Sequence, residues 1–104
     1  MSTQFDAVSA VKKGNVFFDG KCVSHTVLFA DGSRKTLGVI LPSTLTFNVS
    51  TAETMEIIDG TCRVRVLEQS EWHTYAAGQQ FSVVAGSGFE IEATAPVHYV
   101  CHFG

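Results

Sequence analysis

The chain has little proline and little cysteine, with two of the former and three of the latter among 104 residues. An odd number of cysteines without a C-x-x-C pair argues against a disulfide framework and is typical of a reducing compartment. No apolar run approaches the ~20 residues that a membrane-spanning helix needs. The amino terminus lacks the basic start and the apolar run of a secretory signal. These absences predict a cytoplasmic protein that does not enter a membrane.

Positive charge is also scarce, since seven lysines and arginines stand against ten aspartates and glutamates. The formal net charge of −3 gives no electrostatic reason to expect nucleic acid or an anionic membrane as a partner. Nucleophile elbows, paired-carboxylate motifs and glycine-rich phosphate loops before a helix are absent as well. The sequence thus argues against several function classes before it suggests one.

Apolar residues, in contrast, are abundant. Hydrophobic residues make up 45% of the chain, and eight phenylalanines are present. The length suits one domain with a single packed core. Residues 1–13 are predicted to form an N-terminal tail or a short capping segment, and residues 14–104 to form the domain.

Most of the domain alternates between apolar and polar residues. In “TCRVRVL”, Cys62, Val64 and Val66 share one face, while Arg63 and Arg65 share the other. This period of two is typical of half-buried antiparallel strands. It predicts strands near 15–18, 21–30, 34–41, 44–49, 54–58, 61–67, 72–76, 81–84, 88–94 and 97–103. No internal stretch has a helical period, so we expect an all-β fold, either a small β-barrel or a jelly-roll-like antiparallel sandwich.

Two Asp-Gly pairs, Asp31-Gly32 and Asp59-Gly60, separate extended runs. Both residue types tolerate the positive φ that tight hairpin turns need. Each pair is therefore predicted to be a two-residue hairpin turn that joins neighbouring strands.

The stretch “FNVSTAETMEIIDG” resembles the first motif of a cupin barrel. Glu53 and Gly60 keep the spacing of that motif, but the places of its two metal-binding histidines read Phe, Asn, Val and Ser. In “GQQFSVVAGSGFEI”, which resembles the second motif, Phe89 stands where a third metal-binding histidine belongs. One remaining carboxylate does not hold Zn, Fe or Mn alone. The resemblance implies a cupin, and the residues predict no metal site.

Glu53 is the first candidate for chemistry. It falls in phase with Met55 and Ile57, on the face that should point inward. A carboxylate in that position needs a partner or a ligand. The alternative is a solvated residue at the entry to its strand, where the alternation has not yet begun.

Arg34 is the second candidate. It is in phase with Thr36 and Gly38, and this face is short of bulk, which leaves room for a ligand. An arginine suits a bidentate hold on phosphate or carboxylate. The alternative is an ordinary exposed arginine in a hairpin.

Aromatic residues form a third group of candidates, since a pocket for a flat ring needs apolar walls. The residues that could line one are Phe47, Tyr75, Phe81, Phe89 and Tyr99. The alternative is that they belong to the packed core.

Four runs follow one another in a fixed order: “LGVILPSTLTF”, “ETMEIIDGTCRVRVL”, “WHTYAAGQQFSVVAGSGFEI” and “APVHYVCHF”. Their order and spacing closely resemble those of the pyrimidine/purine nucleoside phosphorylases, a family of small single-domain cupins. The resemblance covers about residues 15–104. This sequence departs from the family pattern at 43–45 and at 84–88, where Val84 replaces the usual proline.

The resemblance implies a homodimeric cupin that acts as a pentosyltransferase. Its implied reaction is phosphorolysis of purine and pyrimidine nucleosides to free base and ribose 1-phosphate. Inorganic phosphate is then the co-substrate, and no metal or other cofactor is implied.

On this hypothesis Arg34 binds phosphate, with Lys21 and Lys35 as weaker candidates. Glu53 holds the ribose hydroxyls and stabilises the positive charge that develops on the sugar. The residues that flank the base are Phe47, Phe89 and Tyr99. Two other hypotheses stay open: a non-catalytic cupin that binds a small metabolite and, with less support, a metal-dependent cupin enzyme.

Overall fold

The computed structural model describes residues 3–104, and eleven β-strands run through that range. In chain order they are β1 Ser9–Ala10, β2 Asn15–Phe17, β3 Cys22–Leu28, β4 Arg34–Ile40, β5 Ser43–Asn48, β6 Glu53–Asp59, β7 Thr61–Val66, β8 His73–Ala76, β9 Gln80–Val83, β10 Gly88–Ala93 and β11 Val97–Phe103. A short 3₁₀ turn, Phe18–Gly20, follows β2. Residues 3–104 contain no helix that is long and apolar enough to cross a membrane.

The strands form two antiparallel sheets. The larger sheet has seven strands in the order β1-β3-β4-β11-β6-β9, with β2 paired to β3. The smaller sheet has four, in the order β5-β10-β7-β8. Buried side chains from both sheets form one core. The predicted all-β antiparallel fold is confirmed, and each predicted strand range corresponds to one of β2 to β11.

The amino-terminal segment adds a short strand that the alternation pattern did not reveal. Residues 1 and 2 of the predicted tail or cap lie outside the described range. Further along, β1 pairs with β3, with Ser9 opposite Leu28. The Phe5 ring packs edge-on against Phe29, with 5.2 Å between ring centroids. The segment thus lies against the larger sheet, and the boundary at residue 13 stays a prediction.

Asp31-Gly32 does form a hairpin turn, but with one residue more than predicted. The Phe29 N–H donates to the Ser33 carbonyl at 2.9 Å, and the Gly32 N–H donates to the Phe29 carbonyl at 3.0 Å. The loop therefore contains three residues, 30–32. Gly32 takes a φ of +88°, which is the left-handed position that a three-residue hairpin loop requires.

Asp59-Gly60 is not a hairpin turn, and that prediction was wrong. β6 lies in the larger sheet and β7 in the smaller one, so the pair carries the chain from one sheet to the other. Gly60 takes a φ of +91°, and a Cβ there would lie 2.6 Å from the Pro96 carbonyl oxygen. Turn residues specify a tight reversal, but they do not specify which strands pair on either side of it.

β10 confirms the alternation pattern. Phe89 is buried in the core, whereas Glu90 and Glu92 point to the outer face of the smaller sheet. On the neighbouring strand β7, Arg65 lies 2.8 Å from Glu90 and Arg63 lies 3.0 Å from Glu92. The smaller sheet therefore has an apolar inner face and a charged outer face.

Tyr99 packs closely on Gly38 of the neighbouring strand in the larger sheet. The register places them directly opposite each other on β11 and β4. A Cβ at position 38 would overlap the Tyr99 ring. A glycine is needed here because the ring lies across the backbone of β4.

We therefore expect Gly38→Ala to lower the free energy of unfolding by about 1–3 kcal/mol, the usual cost of overpacking a core. Urea denaturation measures this change. Gly14→Ala is the matched control, because its Cβ would lie 3.2 Å from the exposed, movable His25 ring. Equal losses in the two variants would contradict the packing argument.

Candidate active site

A cavity of about 320 Å³ opens between the two sheets, where β4 and β6 begin. This volume lies within the range of small-molecule sites, roughly 300–1,000 Å³. The lining includes the five main candidates for binding phosphate, ribose and base, each from a different strand: Arg34, Phe47, Glu53, Phe89 and Tyr99. The fold thus brings the candidates together, while their roles stay predictions.

Strand order explains how Arg34 and Glu53 reach the same cavity. β11 lies between β4 and β6 in the larger sheet. Phe103, at the end of β11, stands opposite Glu53 on β6. On its other side, the guanidinium carbon of Arg34 lies 4.0 Å from the centre of the Phe103 ring. The two charged groups therefore flank Phe103 at the open end of the cavity.

The Arg34 guanidinium is exposed and is not neutralised by a close carboxylate. No carboxylate oxygen of residues 3–104 lies within 4.0 Å of its nitrogens. Stacking on Phe103 uses the face of the guanidinium group and leaves the N–H groups, which lie in its plane, able to donate. Arg34 can therefore receive an anion at the mouth of the cavity.

Glu53 is half-buried and faces the cavity, as the alternation predicts. Its Oε1 accepts a hydrogen bond from the Cys101 thiol, with 3.4 Å between sulfur and oxygen. Burial raises the pKa of the Glu53 carboxyl above its ordinary value, and the Cys101 hydrogen bond and the positive charge of Arg34 counteract part of that rise. The site thus holds a carboxyl group that is partly shielded from water.

A polar cluster from β2 and β3 also lines the cavity, and the sequence analysis did not single it out. The Asn15 Nδ2 donates to Ser24 Oγ at 3.2 Å and to Thr26 Oγ1 at 3.3 Å. The register places Asn15 opposite Ser24. Alternation in “CVSHT” puts Ser24 and Thr26 on one face, but only the pairing with β2 reveals the cluster.

An aromatic wall combines Phe47 and Phe89 of the smaller sheet with Phe17 and Phe18 at the end of β2. The Phe47 and Phe89 rings stack with 5.2 Å between centroids, and Phe18 meets Phe47 edge-on at 5.1 Å. Phe89 is 1% exposed and mainly part of the core, whereas Phe47 is half-buried. Phe17 is 46% exposed and lines the cavity too, although the sequence analysis did not single it out.

The other aromatic candidates are held in place by burial and by packing contacts. Tyr99 is 6% exposed, and its hydroxyl lies 3.4 Å from the Cys22 sulfur. Burial raises the pKa of Tyr99 far above its usual range, so its hydroxyl stays neutral in the cavity wall. Tyr75 and Phe81 pack against each other with 5.0 Å between centroids, away from the cavity lining.

The histidines and the weaker phosphate candidates do not line this cavity. His25 and His98 line a groove on the outer face of the larger sheet. His102 lies on the same face, where the Lys35 Nζ donates to its Nδ1 at 2.6 Å. Lys21 is exposed elsewhere on the surface. Among residues 3–104, no three His, Cys, Asp or Glu side chains are placed to hold a metal ion.

Comparison with known sequences identifies one family. The sequence model described as “Pyrimidine/purine nucleoside phosphorylase” matches residues 12–103. A protein of that name from Cupriavidus metallidurans is 64% identical over 102 residues, which is 98% of this chain and 99% of the relative. One from Herminiimonas arsenicoxydans is 61% identical over 103 residues, 99% of each chain.

Solved structures show the same fold. A protein of unknown function from Acinetobacter sp. ADP1 is 50% identical and superposes with a TM-score of 0.97 over 99% of this chain and 100% of that one. A mutant of Bacillus subtilis oxalate decarboxylase is 18% identical, with a TM-score of 0.67 over 86% of this chain and 27% of that one. The distant likeness concerns the fold alone, and it confirms the predicted cupin architecture.

Proposed function

The chain belongs to the pyrimidine/purine nucleoside phosphorylase family, and from this premise we propose that it splits nucleosides with inorganic phosphate. The products are free base and ribose 1-phosphate, and both purine and pyrimidine nucleosides are substrates. One observation carries the proposal beyond the family name. An unneutralised arginine and a shielded carboxylate face one cavity of small-molecule size.

The reaction sets three physical requirements. The bond between sugar and base breaks through a state with positive charge on the sugar, as in glycoside chemistry. Phosphate must be held by positive charge and aimed at the anomeric carbon. The base must leave from a site that tolerates different ring systems. The cavity has one group of residues suited to each requirement.

Phosphate binds at Arg34, where the in-plane N–H groups suit two phosphate oxygens. Thr26 on β3 lies opposite Thr36, which is two residues along β4 from Arg34. Its hydroxyl supplies a further donor. Its oxygen already accepts from the Asn15 amide, so its own proton is free to point toward an anion in the cavity. This arrangement supports a phosphate subsite beside β3 and β4.

Glu53 lies on the other side of Phe103 from Arg34. Its carboxylate accepts hydrogen bonds from the ribose hydroxyls and stabilises the positive charge that develops on the sugar. Partial burial strengthens this electrostatic effect, because little water screens the charge. Burial also has a cost, because it raises the pKa of the Glu53 carboxyl, and the Cys101 hydrogen bond and the charge of Arg34 act in the opposite direction and favour the anion.

The base lies against the aromatic wall, chiefly the half-buried Phe47 and the exposed Phe17. Stacking on phenylalanine recognises the flat face that all bases share and reads no hydrogen-bonding edge. Phe89 supports Phe47 from the core, and Tyr99 closes the floor of the cavity. Broad specificity follows from such a wall. The proposed mechanism uses phosphate as co-substrate and assigns no step to a metal.

The test is base release from uridine, adenosine and inosine, followed by absorbance with and without phosphate. We expect release that depends on phosphate for at least one purine and one pyrimidine nucleoside. Absence of phosphate-dependent release from all nucleosides tried would reject the proposal. Binding of a nucleoside without any turnover would instead favour a metabolite-binding cupin.

We also propose that the protein is a homodimer that pairs through the outer face of the larger sheet. That face has a groove of about 690 Å³, lined in part by the apolar residues Val23, Leu37, Val39, Ile58 and Val100. Leu37 is 36% exposed and Ile58 is 48% exposed. The patch lies on central strands of the sheet, so a second subunit would cover it face to face and not by adding a strand at the sheet edge. Residues 3–6 of the chain itself line one part of the same groove.

Ile58→Asp is therefore expected to convert the dimer to a monomer, because it places a charge in an apolar interface. Size-exclusion chromatography with light scattering at micromolar concentration measures the mass. Val84→Asp, at a position 71% exposed and outside this face, serves as the control and should leave the mass unchanged. A monomeric wild type, or a dimeric Ile58→Asp variant, would contradict this interface.

A further inference from the structure

We propose that Cys101 is a positioning residue for Glu53: its thiol donates a hydrogen bond to Glu53 Oε1 and so leaves Oε2 to face the substrate. The inference rests on the proposed function, because it concerns how the carboxylate of that site is presented. It gives a role to a buried thiol that the reaction does not otherwise use.

The geometry of β11 fixes the thiol. Cys101 is 4% exposed and stands opposite Thr36 on β4 and Met55 on β6, in the centre of the larger sheet. Cys101 lines the cavity, and its sulfur lies 3.4 Å from Glu53 Oε1. Thr36, which is 9% exposed, stands opposite Cys101 on β4, and its side chain counteracts part of the rise in the pKa of the thiol. The thiol is thus buried between neighbouring strands with Glu53 as its hydrogen-bond acceptor.

The direction of the Cys101–Glu53 hydrogen bond follows from protonation. Burial, followed by the nearby charge of Glu53, raises the pKa of the Cys101 thiol to about 12, so the sulfur keeps its proton. A protonated thiol has one proton to give, and a carboxylate oxygen is a far better acceptor than a hydroxyl oxygen. The sulfur therefore donates to Glu53. A protonated, buried thiol is also a poor nucleophile, which argues against covalent catalysis by Cys101.

The hydrogen bond from Cys101 affects the protonation of the Glu53 carboxyl group as well as its orientation. Arg34 from β4 is the charged group that acts on Glu53, and the neutral thiol from β11 acts through its hydrogen bond, whereas β9 presents the apolar Val83 opposite Glu53. The bond from Cys101 favours the ionised carboxylate and lowers its pKa against the effect of burial. Loss of the thiol should therefore raise the pKa of Glu53 and move the acid limb of the activity profile to higher pH.

Three variants separate positioning from packing. Cys101→Val keeps an apolar side chain of similar size and removes the donor, whereas Cys101→Ser keeps a donor. Cys62→Val removes another thiol, 2% exposed, that does not line the cavity. We expect Cys101→Val to lower kcat about 10- to 100-fold, the size of effect that one positioning group can have, and to move the acid limb upward. Cys101→Ser should recover most of the rate and the wild-type limb, and Cys62→Val should leave both unchanged.

Infrared spectroscopy of the S–H stretch provides a readout that does not depend on activity. The Cys101 band is the one missing in Cys101→Val, and it should shift in Glu53→Gln, where the charged acceptor is lost. An S–H band of Cys101 that does not shift in Glu53→Gln would overturn the inference. A Cys101→Val enzyme with the wild-type kcat and pH profile would overturn it as well. A wild type without phosphorolysis rejects the proposed function instead, and the infrared band then decides whether the thiol holds Glu53.

Discussion

Replacing Arg34 by alanine is expected to raise the KM for phosphate by about 10- to 100-fold. This range corresponds to the ~1.5–3 kcal/mol that a hydrogen bond to a charged group contributes. The KM for the nucleoside should change much less, because Arg34 lies across Phe103 from Glu53, the residue assigned to the ribose. Initial rates at varied phosphate and varied uridine separate the two constants.

Two further variants give this prediction its controls. Arg34→Lys keeps the charge but loses the planar pair of donors, so its KM for phosphate should fall between wild type and Arg34→Ala. Arg63→Ala removes an arginine that is 49% exposed and paired with Glu92 on the outer face of the smaller sheet. An exposed pair of this kind contributes little to stability. Equal effects of Arg34→Ala and Arg63→Ala would remove Arg34 from the site.

Glu53→Gln is expected to lower kcat about 10²- to 10³-fold and, at the same time, to stabilise the fold at neutral pH. The loss of rate is the size found when one group that stabilises transition-state charge is removed. Glutamine keeps the shape and can still meet a ribose hydroxyl, so the KM for the nucleoside should change less than kcat. Steady-state kinetics at saturating phosphate measures both constants.

The gain in stability follows from the direction of the Glu53 pKa. Burial raises the pKa in the folded protein, so the folded state binds more protons than the unfolded chain between the ordinary glutamate pKa and the raised one. Stability therefore falls as pH rises through that window, and ionised Glu53 is a cost at neutral pH. Glutamine removes this cost. The stability advantage of the variant should disappear below about pH 4, where Glu53 is protonated in both states.

Glu92→Gln provides a control of opposite sign. The hydrogen bond from Arg63 holds the pKa of the Glu92 carboxyl below its ordinary value, so its ionised form favours the folded state. Urea denaturation across pH should show a slight loss or no change for Glu92→Gln and a gain for Glu53→Gln. A loss of stability in Glu53→Gln at neutral pH would mean that its carboxylate is a structural partner and not a group kept for substrate.

Alternation in the sequence was enough to predict β2 to β11 and to place Glu53 on an inward face, because a period of two reports which side of a sheet is buried. For Arg34 it left two interpretations open, a ligand-binding residue and an ordinary exposed arginine. It could not predict that β6 and β7 lie in different sheets, since Asp59-Gly60 gives only the reversal. The alternation also could not predict that Asn15 and Phe17 contribute to the cavity. Those residues lie on the three-residue strand β2, whose place in the fold depends on its pairing with β3.

The family resemblance supplied what the pattern could not. The spacing of Arg34, Glu53 and Phe47 in the sequence does not indicate a nucleoside as the substrate. The reason is that strands distant in the sequence come together to form the cavity. Conversely, the resemblance gave no partner for Glu53. The hydrogen bond from Cys101 depends on the register of β11 against β6, and only the structure provides that register.

Phosphorus NMR of the reaction run with fully ¹⁸O-labelled phosphate tests the central claim most directly. If phosphate bound at Arg34 attacks the anomeric carbon, each molecule of base released is matched by one sugar 1-phosphate that keeps all of its labelled oxygens. Free ribose formed without a sugar phosphate, or no base released from any nucleoside, would contradict the account.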